Sequence, residues 1–233
     1  MDKIIVAIGG GSLKDKTTAK IDNYIATLAK KRAGDRRAVG LFIGTASHDS
    51  MPYFNTFRKT YTSDNDVKAD CILCVYGEMN DEKIKGKFEK ADLIYIGGGD
   101  TLFMLDTWQK KGVLQQVIDA YNRGVIIAGL SAGAICWFEK MFTDSQFVNG
   151  ENDTSYSIKD GLGYLQGLCC PHYNERHVDF DCEFYNSNSD HAWAIEDDCA
   201  LKFVNGVYSE KITTGGNAYE FIKKGNNVQK VLL

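Results

Sequence analysis

A serine between two glycines is the residue of this sequence best suited to nucleophilic chemistry. Ser131 lies in the pentapeptide GLSAG (129–133), after an apolar run with strand character (124–128) and before an apolar helical pattern. A sharp turn between a strand and a helix leaves a serine hydroxyl exposed, and the glycines let the helix pass close to the strand. The Ala132 N–H then lies at a helix N-terminus, where it can stabilise an oxyanion. The alternative is an ordinary turn in which Ser131 caps the helix.

A serine nucleophile needs a general base, and the chain has 4 histidines. His172 follows an apolar, strand-like run and Pro171, a combination that aims a side chain from a strand end. His48 follows another predicted strand, His191 lies in a polar segment, and His177 lies in a charged segment typical of a surface. We therefore favour His172 as the base.

The imidazole in turn needs a carboxylate that fixes its tautomer and stabilises its protonated form. Spacing does not choose among the acids in the second half of the chain, and the run of three acids at 196–198 is typical of a solvated turn between strands. The candidates are Asp144, Glu175, Asp190, Glu196, Asp197 and Asp198.

Two glycine runs follow predicted strands. The run at 97–99 precedes Asp100 and Thr101, and its N–H groups could complete an oxyanion hole with Ala132. Its alternative role is a plain turn in which Asp100 or Thr101 caps the next helix. The run at 9–11 resembles a dinucleotide loop, but Lys14 stands where the third glycine would be, so nucleotide binding is not favoured.

Composition narrows the functional class. The chain has 233 residues, a net charge of -4 and no basic stripe, which argues against nucleic acid as a partner. Its apolar runs are too short to cross a membrane, and no signal-peptide pattern follows the first strand, so we expect a cytoplasmic protein whose 7 cysteines are reduced. Cys71 and Cys74 would point to opposite faces of a strand. We therefore expect no metal site at these cysteines. We also expect no cofactor.

Strands alternate with helices through the first 130 residues, which predicts right-handed βαβ units and a doubly wound, mainly parallel α/β sheet. After the predicted helix that follows Ser131, which we call the elbow helix, we expect a polar loop over 142–160. Asn205-Gly206 predicts an antiparallel hairpin near the C-terminus. We interpret residues 1–233 as one domain. The predicted strands are 3–8, 39–43, 70–75, 93–96, 124–128, 192–195, 199–204 and 207–212, and the predicted helices are 18–31, 52–62, 80–90, 102–110, 113–123 and 178–185.

Three blocks together resemble the peptidase E and cyanophycinase family of serine peptidases, whose core is similar to class I glutamine amidotransferases. They are YIGGGDT (95–101), GLSAGA (129–134) and CPHY (170–173), and weaker likeness extends over most of the chain. The resemblance implies Ser131 as nucleophile and His172 as base. It also implies oxyanion donors at Gly98 or Gly99 and at Ala132.

The third member of the triad departs from the family pattern. The family typically has a glutamate just before a strand segment that pairs a small residue with leucine. Aligning residues 194–201 without a gap puts Asp197 at that place and Glu196 one residue earlier. Asp144, in the segment after the elbow helix, is the other acid that we retain.

The resemblance implies hydrolysis of short peptides through an acyl-enzyme, with N-terminal aspartate preferred in the peptidase E branch. That preference needs a cation, for which Arg176 is the nearest candidate, although a solvent-facing arginine is slightly favoured at this position. A cyanophycinase-like isoaspartyl peptide hydrolase is the first alternative. A non-catalytic binding protein of the same fold is the second. The expected partner is a small peptide substrate, and we expect no binding to nucleic acid or to a membrane. For the oligomeric state, we expect a homodimer.

Overall fold

Two β-sheets organise the chain, and the computed structural model describes residues 2–77, 79–145, 156–225 and 227–233. The elements of the first part are β1 (Ile4–Ile8), α1 (Ala19–Ala33), β2 (Val39–Ile43), α2 (Met51–Arg58, continued by a π-helical segment Lys59–Asp64), β3 (Lys68–Ile72), α3 (Asp81–Lys90), β4 (Leu93–Ile96), α4 (Thr101–Lys110), α5 (Val113–Asn122) and β5 (Ile126–Leu130). Those of the second part are α6 (Ala132–Ile135), β6 (Phe138–Thr143), β7 (Ser157–Asp160), β8 (Leu165–Cys170), α7 (Tyr173–Asn186), β9 (His191–Ile195), β10 (Cys199–Val204), β11 (Val207–Thr213), β12 (Ala218–Lys224) and β13 (Asn227–Leu232).

The first sheet has 7 strands in the order β11-β10-β1-β5-β4-β2-β3. Strands β1 to β5 are parallel, as the alternating pattern predicts, and β10 joins the edge of β1 antiparallel. The hairpin across Asn205-Gly206 pairs β10 with β11, which is the extension predicted from that dipeptide. The predicted α/β class is therefore confirmed.

Side chains of the first sheet alternate between two apolar layers. Val6 and Tyr95 pack with side chains of α1 and α2 on one face. Ala7 and Ile96 pack on the other face, with side chains of α4, α5 and the second sheet. Because both faces are covered, the central strands carry continuous apolar residues rather than an alternating pattern.

The second sheet has 6 strands in the order β13-β12-β9-β8-β6-β7. The sequence pattern does not predict a separate second sheet. The elbow helix is a single turn, after which Trp137 and Phe138 carry the chain into β6. Both side chains are fully buried in the layer between the two sheets, a packing that favours the extended chain over a longer helix. The loop predicted over 142–160 is strand at both ends, and its residues 146–155 lie outside the described part of the chain.

Helix α7 covers the outer face of the second sheet with Phe180 and Phe184 and begins directly after His172. The His172 N–H donates to the Gly9 carbonyl oxygen at 3.1 Å, which ties the end of β8 to the end of β1. The carboxyl ends of β1, β4, β5 and β8 thus meet at one edge of the molecule. In the described ranges, no helix has the length and apolar character needed to cross a bilayer.

Candidate active site

The turn between β5 and α6 holds Ser131 in an unusual backbone conformation, with φ 51° and ψ -110°. The two glycines of the motif explain how the turn forms. A Cβ atom on Gly129 would lie 1.9 Å from the Gly133 carbonyl oxygen, and one on Gly133 would lie 2.3 Å from the Ile96 carbonyl oxygen. Close packing of α6 on β5 and β4 therefore requires glycine at both places. The positive φ of Ser131 adds backbone strain of about 1–3 kcal/mol at that residue.

His172 faces Ser131 and Asp197 with its two ring nitrogens. Its Nε2 lies 2.9 Å from the Ser131 hydroxyl oxygen, and its Nδ1 lies 2.7 Å from an Asp197 carboxylate oxygen. The imidazole and the carboxylate are both partly buried, so water screens their contact less than it would at an open surface. The structure thus brings together the serine, the histidine and the first of the three acids selected from the sequence.

Asn174 holds Asp197 from the far side. Its side-chain oxygen accepts a hydrogen bond from the Asp197 N–H at 2.9 Å, and its Nδ2 donates to the second Asp197 carboxylate oxygen at 3.2 Å. The pKa of Asp197 is lowered below its usual value, chiefly by the hydrogen bond from His172, with further contributions from Asn174 and the charge of Arg176. The carboxylate is therefore ionised at neutral pH.

The two alternative acids point elsewhere. Glu196 accepts a hydrogen bond from the Asn217 N–H at 2.8 Å and a longer one from the Tyr219 hydroxyl at 3.4 Å. Asp144 forms an ion pair with Arg176, at 2.9 Å between its Oδ2 and the guanidinium Nη2. Neither carboxylate contacts the imidazole, because their own partners hold them away from it.

Arg176 differs from the solvent-facing arginine that its charged sequence context favours. It is only 8% exposed, and its guanidinium carbon lies 4.9 Å from the centre of the Tyr156 ring. Its position on the first turn of α7 turns the side chain inward, where Asp144 offsets its charge. The guanidinium is therefore near the triad but already paired.

The loop at 9–11 is a part of the site that sequence reasoning missed. A Cβ atom on Gly10 would lie 1.8 Å from an Asp197 carboxylate oxygen and 2.4 Å from His172 Nδ1. Gly9 accepts from the His172 N–H, and Gly10 accepts from the Asp198 N–H at 3.2 Å. The glycine run is visible in the sequence, but its role requires knowing which distant segments pack on it.

The backbone N–H groups expected at an oxyanion hole belong to Ala132 and to the glycine run at 97–99. Ala132 is the first residue of α6, so its N–H has no partner within that helix. Gly99, at φ 134°, approaches the Ala46 backbone, and its N–H makes no hydrogen bond within the described residues. The Gly98 N–H instead donates to the Tyr53 hydroxyl oxygen across 3.4 Å, and a Cβ atom on Gly98 would lie 3.4 Å from the Ser131 Cβ.

The remaining histidines and the cysteines lie away from this arrangement. His48 packs on the Phe103 ring at 4.2 Å between centroids, His191 contacts Glu220 at 2.8 Å, and His177 is exposed. The cysteines are unpaired thiols, and the described stretches contain no cluster of three or more side chains arranged to hold a metal ion.

Comparisons with known proteins agree on one relationship. The sequence pattern of peptidase family S51 matches residues 5–210. The uncharacterized peptidase YgaJ of Bacillus subtilis (strain 168) is 30% identical over 241 residues, an alignment that covers 100% of this chain and 97% of the relative. Peptidase E of Salmonella newport (strain SL254) is 44% identical over 46 residues, or 20% of each chain. The crystal structure of a peptidase from an acI-B1 actinobacterium has the same fold, with a TM-score of 0.70 and 17% identity over 99% of this chain and 94% of that one.

Proposed function

Because the chain belongs to peptidase family S51, we propose that it hydrolyses short peptides by a serine mechanism, with an acyl-enzyme formed on Ser131. One observation carries the proposal. The Ser131 hydroxyl, the His172 imidazole and the Asp197 carboxylate are joined by contacts of 2.9 and 2.7 Å, and Ser131 lies on the strained turn between β5 and α6. The resemblance to peptidase E supports dipeptides with N-terminal aspartate as the first substrates to test.

In the first half-reaction, the Ser131 oxygen attacks the carbonyl carbon of the scissile peptide bond while His172 Nε2 takes the hydroxyl proton. The carbonyl oxygen becomes an oxyanion, which the N–H groups of Gly99 and Ala132 stabilise. The C–N bond then breaks, His172 returns the proton to the leaving amine, and the acyl group remains as an ester on Ser131.

In the second half-reaction, a water molecule replaces the amine. His172 takes one of its protons as the water oxygen attacks the ester, and the Ser131 oxygen leaves with the proton that His172 returns. The products are the free acid and the regenerated serine. Asp197 keeps Nδ1 of His172 protonated, so that Nε2 is the nitrogen that faces Ser131, and it stabilises the imidazolium formed in each half-reaction.

The proposal is tested by the hydrolysis of a dipeptide panel that contains Asp-X, Ala-X, Leu-X and isoaspartyl peptides. The wild-type chain is compared with Ser131→Ala and with Asp197→Asn. We expect Asp-X cleavage that disappears in Ser131→Ala and falls by roughly 10³–10⁴-fold in Asp197→Asn, where the tautomer is no longer enforced.

Cleavage of another member of the panel would keep the mechanism and change the substrate. Selective cleavage of isoaspartyl peptides would favour the cyanophycinase-like alternative. Equal turnover by wild type and Ser131→Ala would refute the assignment of the nucleophile. Folded wild-type protein that cleaves none of the panel would favour the binding-protein alternative.

A further inference from the structure

A cluster of hydrogen bonds around Asp198 joins the loop after β1 to the turn at 196–198 between β9 and β10. Asp198 directly follows Asp197, and its φ of 59° lies in the left-handed region that favours glycine. Aspartate enters this region more readily than most residues, but the conformation still costs free energy that other contacts must offset. The side chain of Asp198 therefore has to supply an interaction that glycine would lack.

The Asp198 carboxylate binds the loop after β1 through Thr17. The Thr17 hydroxyl donates to Asp198 Oδ1 at 2.5 Å, and the oxygen of that hydroxyl accepts from the Ser12 N–H at 2.9 Å. A Cβ atom on Gly11 would lie 2.3 Å from Asp198 Oδ1, so the loop packs closely on the carboxylate. The Asp198 N–H also donates to the Gly10 carbonyl oxygen at 3.2 Å. Both the side chain and the backbone of Asp198 thus hold the glycine loop.

The loop between β11 and β12 completes the cluster. The Thr214 N–H donates to the Asp198 carbonyl oxygen at 2.9 Å, and the Thr214 hydroxyl donates to the Thr17 carbonyl oxygen at 2.5 Å. A Cβ atom on Gly216 would lie 1.9 Å from the Asp197 carbonyl oxygen. The turn that carries Asp197 is therefore packed between two loops, and Asp198 forms hydrogen bonds with both of them.

The glycine loop also contacts the triad. A Cβ atom on Gly10 would lie 1.8 Å from an Asp197 carboxylate oxygen and 2.4 Å from His172 Nδ1. Because the carboxylates at 197 and 198 meet neighbouring glycines of one loop, a shift of the loop relative to the turn would disturb the 2.7 Å contact between Asp197 and His172. Within the described part of the chain, Asp198 forms no hydrogen bond with the imidazole, so its effect on His172 passes through Asp197 and the loop.

We propose that Asp198 is a positioning residue for the triad. Its carboxylate, bound by Thr17, fixes the glycine loop on the turn and so keeps Asp197 aimed at His172. The proposal rests on the serine peptidase function proposed above, and it gives Asp198 a role other than that of the third triad member. Glycine at position 198 would relax the backbone but would leave the loop without this attachment.

Asp198→Gly tests this role, because glycine adopts the backbone conformation of residue 198 without strain but has no carboxylate. We expect kcat on the best peptide to fall about tenfold with little change in KM, since the triad is misaligned while the substrate contacts stay the same. Asp198→Asn keeps an oxygen that accepts from Thr17 and should retain most of the activity. Thr17→Val should match Asp198→Gly, whereas Thr17→Ser keeps the hydroxyl and should match wild type.

An Asp197→Ala background separates positioning from a general effect on the structure. With no carboxylate at position 197, Asp198 has nothing to position, so adding Asp198→Gly should lower the rate by less than about twofold. A purely structural effect would lower the rate by the same factor in both backgrounds. Asp66→Gly is the matched control, because Asp66 also has a positive φ, of 53°, but is exposed and pairs with Arg37. It should behave as wild type.

The rate is measured as peptide turnover and as labelling of Ser131 by a small serine-reactive phosphonate, which does not depend on the choice of peptide. Wild-type rates in Asp198→Gly, or an equal fall in both backgrounds, would overturn the role of Asp198 and leave the peptidase function in place. Cleavage of no peptide, with labelling that still depends on Asp198, would count against the peptidase function alone. Absence of both turnover and labelling in wild type would refute the peptidase function and this role together.

Discussion

Two atoms of the Asn174 side chain hold Asp197 in position, and the sequence does not mark this residue as part of the site. One atom accepts from the Asp197 backbone and the other donates to its carboxylate. Asn174 lies two residues after His172, so the local sequence contains it. Its relation to Asp197, which is 23 residues away, depends on how β9 is placed beside β8.

Replacing Asn174 by alanine should lower kcat about tenfold with little change in KM, because the Asp197 carboxylate loses a donor that fixes its orientation toward His172. Steady-state kinetics on the best peptide measures both constants. Asn186→Ala, on the same helix but at its exposed end, is the matched control and should leave both constants unchanged. A rise in KM alone would show that Asn174 serves substrate binding and does not position Asp197.

At the same scale, the sequence motifs predicted the roles of Ser131 and His172 better than that of Asp197. GLSAG and CPHY are local patterns, and each places its residue at a strand end. Asp197 and Glu196 are neighbours in one turn, and their different partners follow from side-chain direction, which spacing cannot specify. Arg176 was misjudged for the same reason, since a charged neighbourhood in sequence says nothing about Asp144 on another strand end.

Among the elements, the loop after β1 is the support on which the His172 and Asp197 side chains lie. Replacing Gly10 by alanine puts a Cβ atom within 1.8 Å of the Asp197 carboxylate and 2.4 Å of the imidazole, so at least one of them must move. We expect kcat to fall at least about 100-fold, because the contact that fixes the imidazole is lost. Steady-state kinetics and thermal unfolding of the same samples measure the effect.

Gly86→Ala is the control for this substitution. Gly86 lies inside α3, and a Cβ atom there would meet nothing within 4 Å. This variant should keep full activity and gain about 0.5–1 kcal/mol of stability from the better helix propensity of alanine. Wild-type activity in Gly10→Ala would show that the loop is not a tight support for the pair.

Helices and strands were predictable where a local sequence pattern determines them. They were missed where packing against distant segments determines the secondary structure. Strands β2, β4 and β10 have the predicted bounds, because each is a short, mostly apolar run that ends at turn residues. The hairpin of β12 and β13 was not predicted, and the helical pattern after Ser131 becomes β6. In both cases, pairing within the second sheet determines the structure, and those partners are remote in sequence.

On the scale of the whole molecule, Asp22 is a buried carboxyl that the proposed reaction does not use. It is 1% exposed and accepts hydrogen bonds from the hydroxyls of Thr18 and Tyr61 at 2.7 and 3.0 Å. Burial raises its pKa from the ordinary 3.8 to about 6, although the two hydroxyls act in the opposite direction. Between these values, the folded protein binds more protons than the unfolded chain, so this residue lowers the free energy of unfolding as pH rises from about 4 to about 6.

Asp22→Asn should remove this dependence, since the amide cannot ionise. The difference in unfolding free energy between variant and wild type should shift in favour of the variant by up to about 3 kcal/mol between pH 4 and pH 7. Urea unfolding of both proteins at the two pH values measures it, and the comparison cancels other titrating groups. A difference that stays constant with pH would contradict the role given to Asp22.

The central claim is that Ser131 is a nucleophile activated by His172, and covalent labelling tests it most directly. Wild type, Ser131→Ala and His172→Ala are incubated with a small serine-reactive phosphonate, and the adduct is located by peptide mass spectrometry. We predict one adduct, on Ser131, that is absent from Ser131→Ala and forms at least about 100-fold more slowly in His172→Ala. Labelling of another residue in wild type, or of Ser131 at the same rate without His172, would contradict the proposed mechanism.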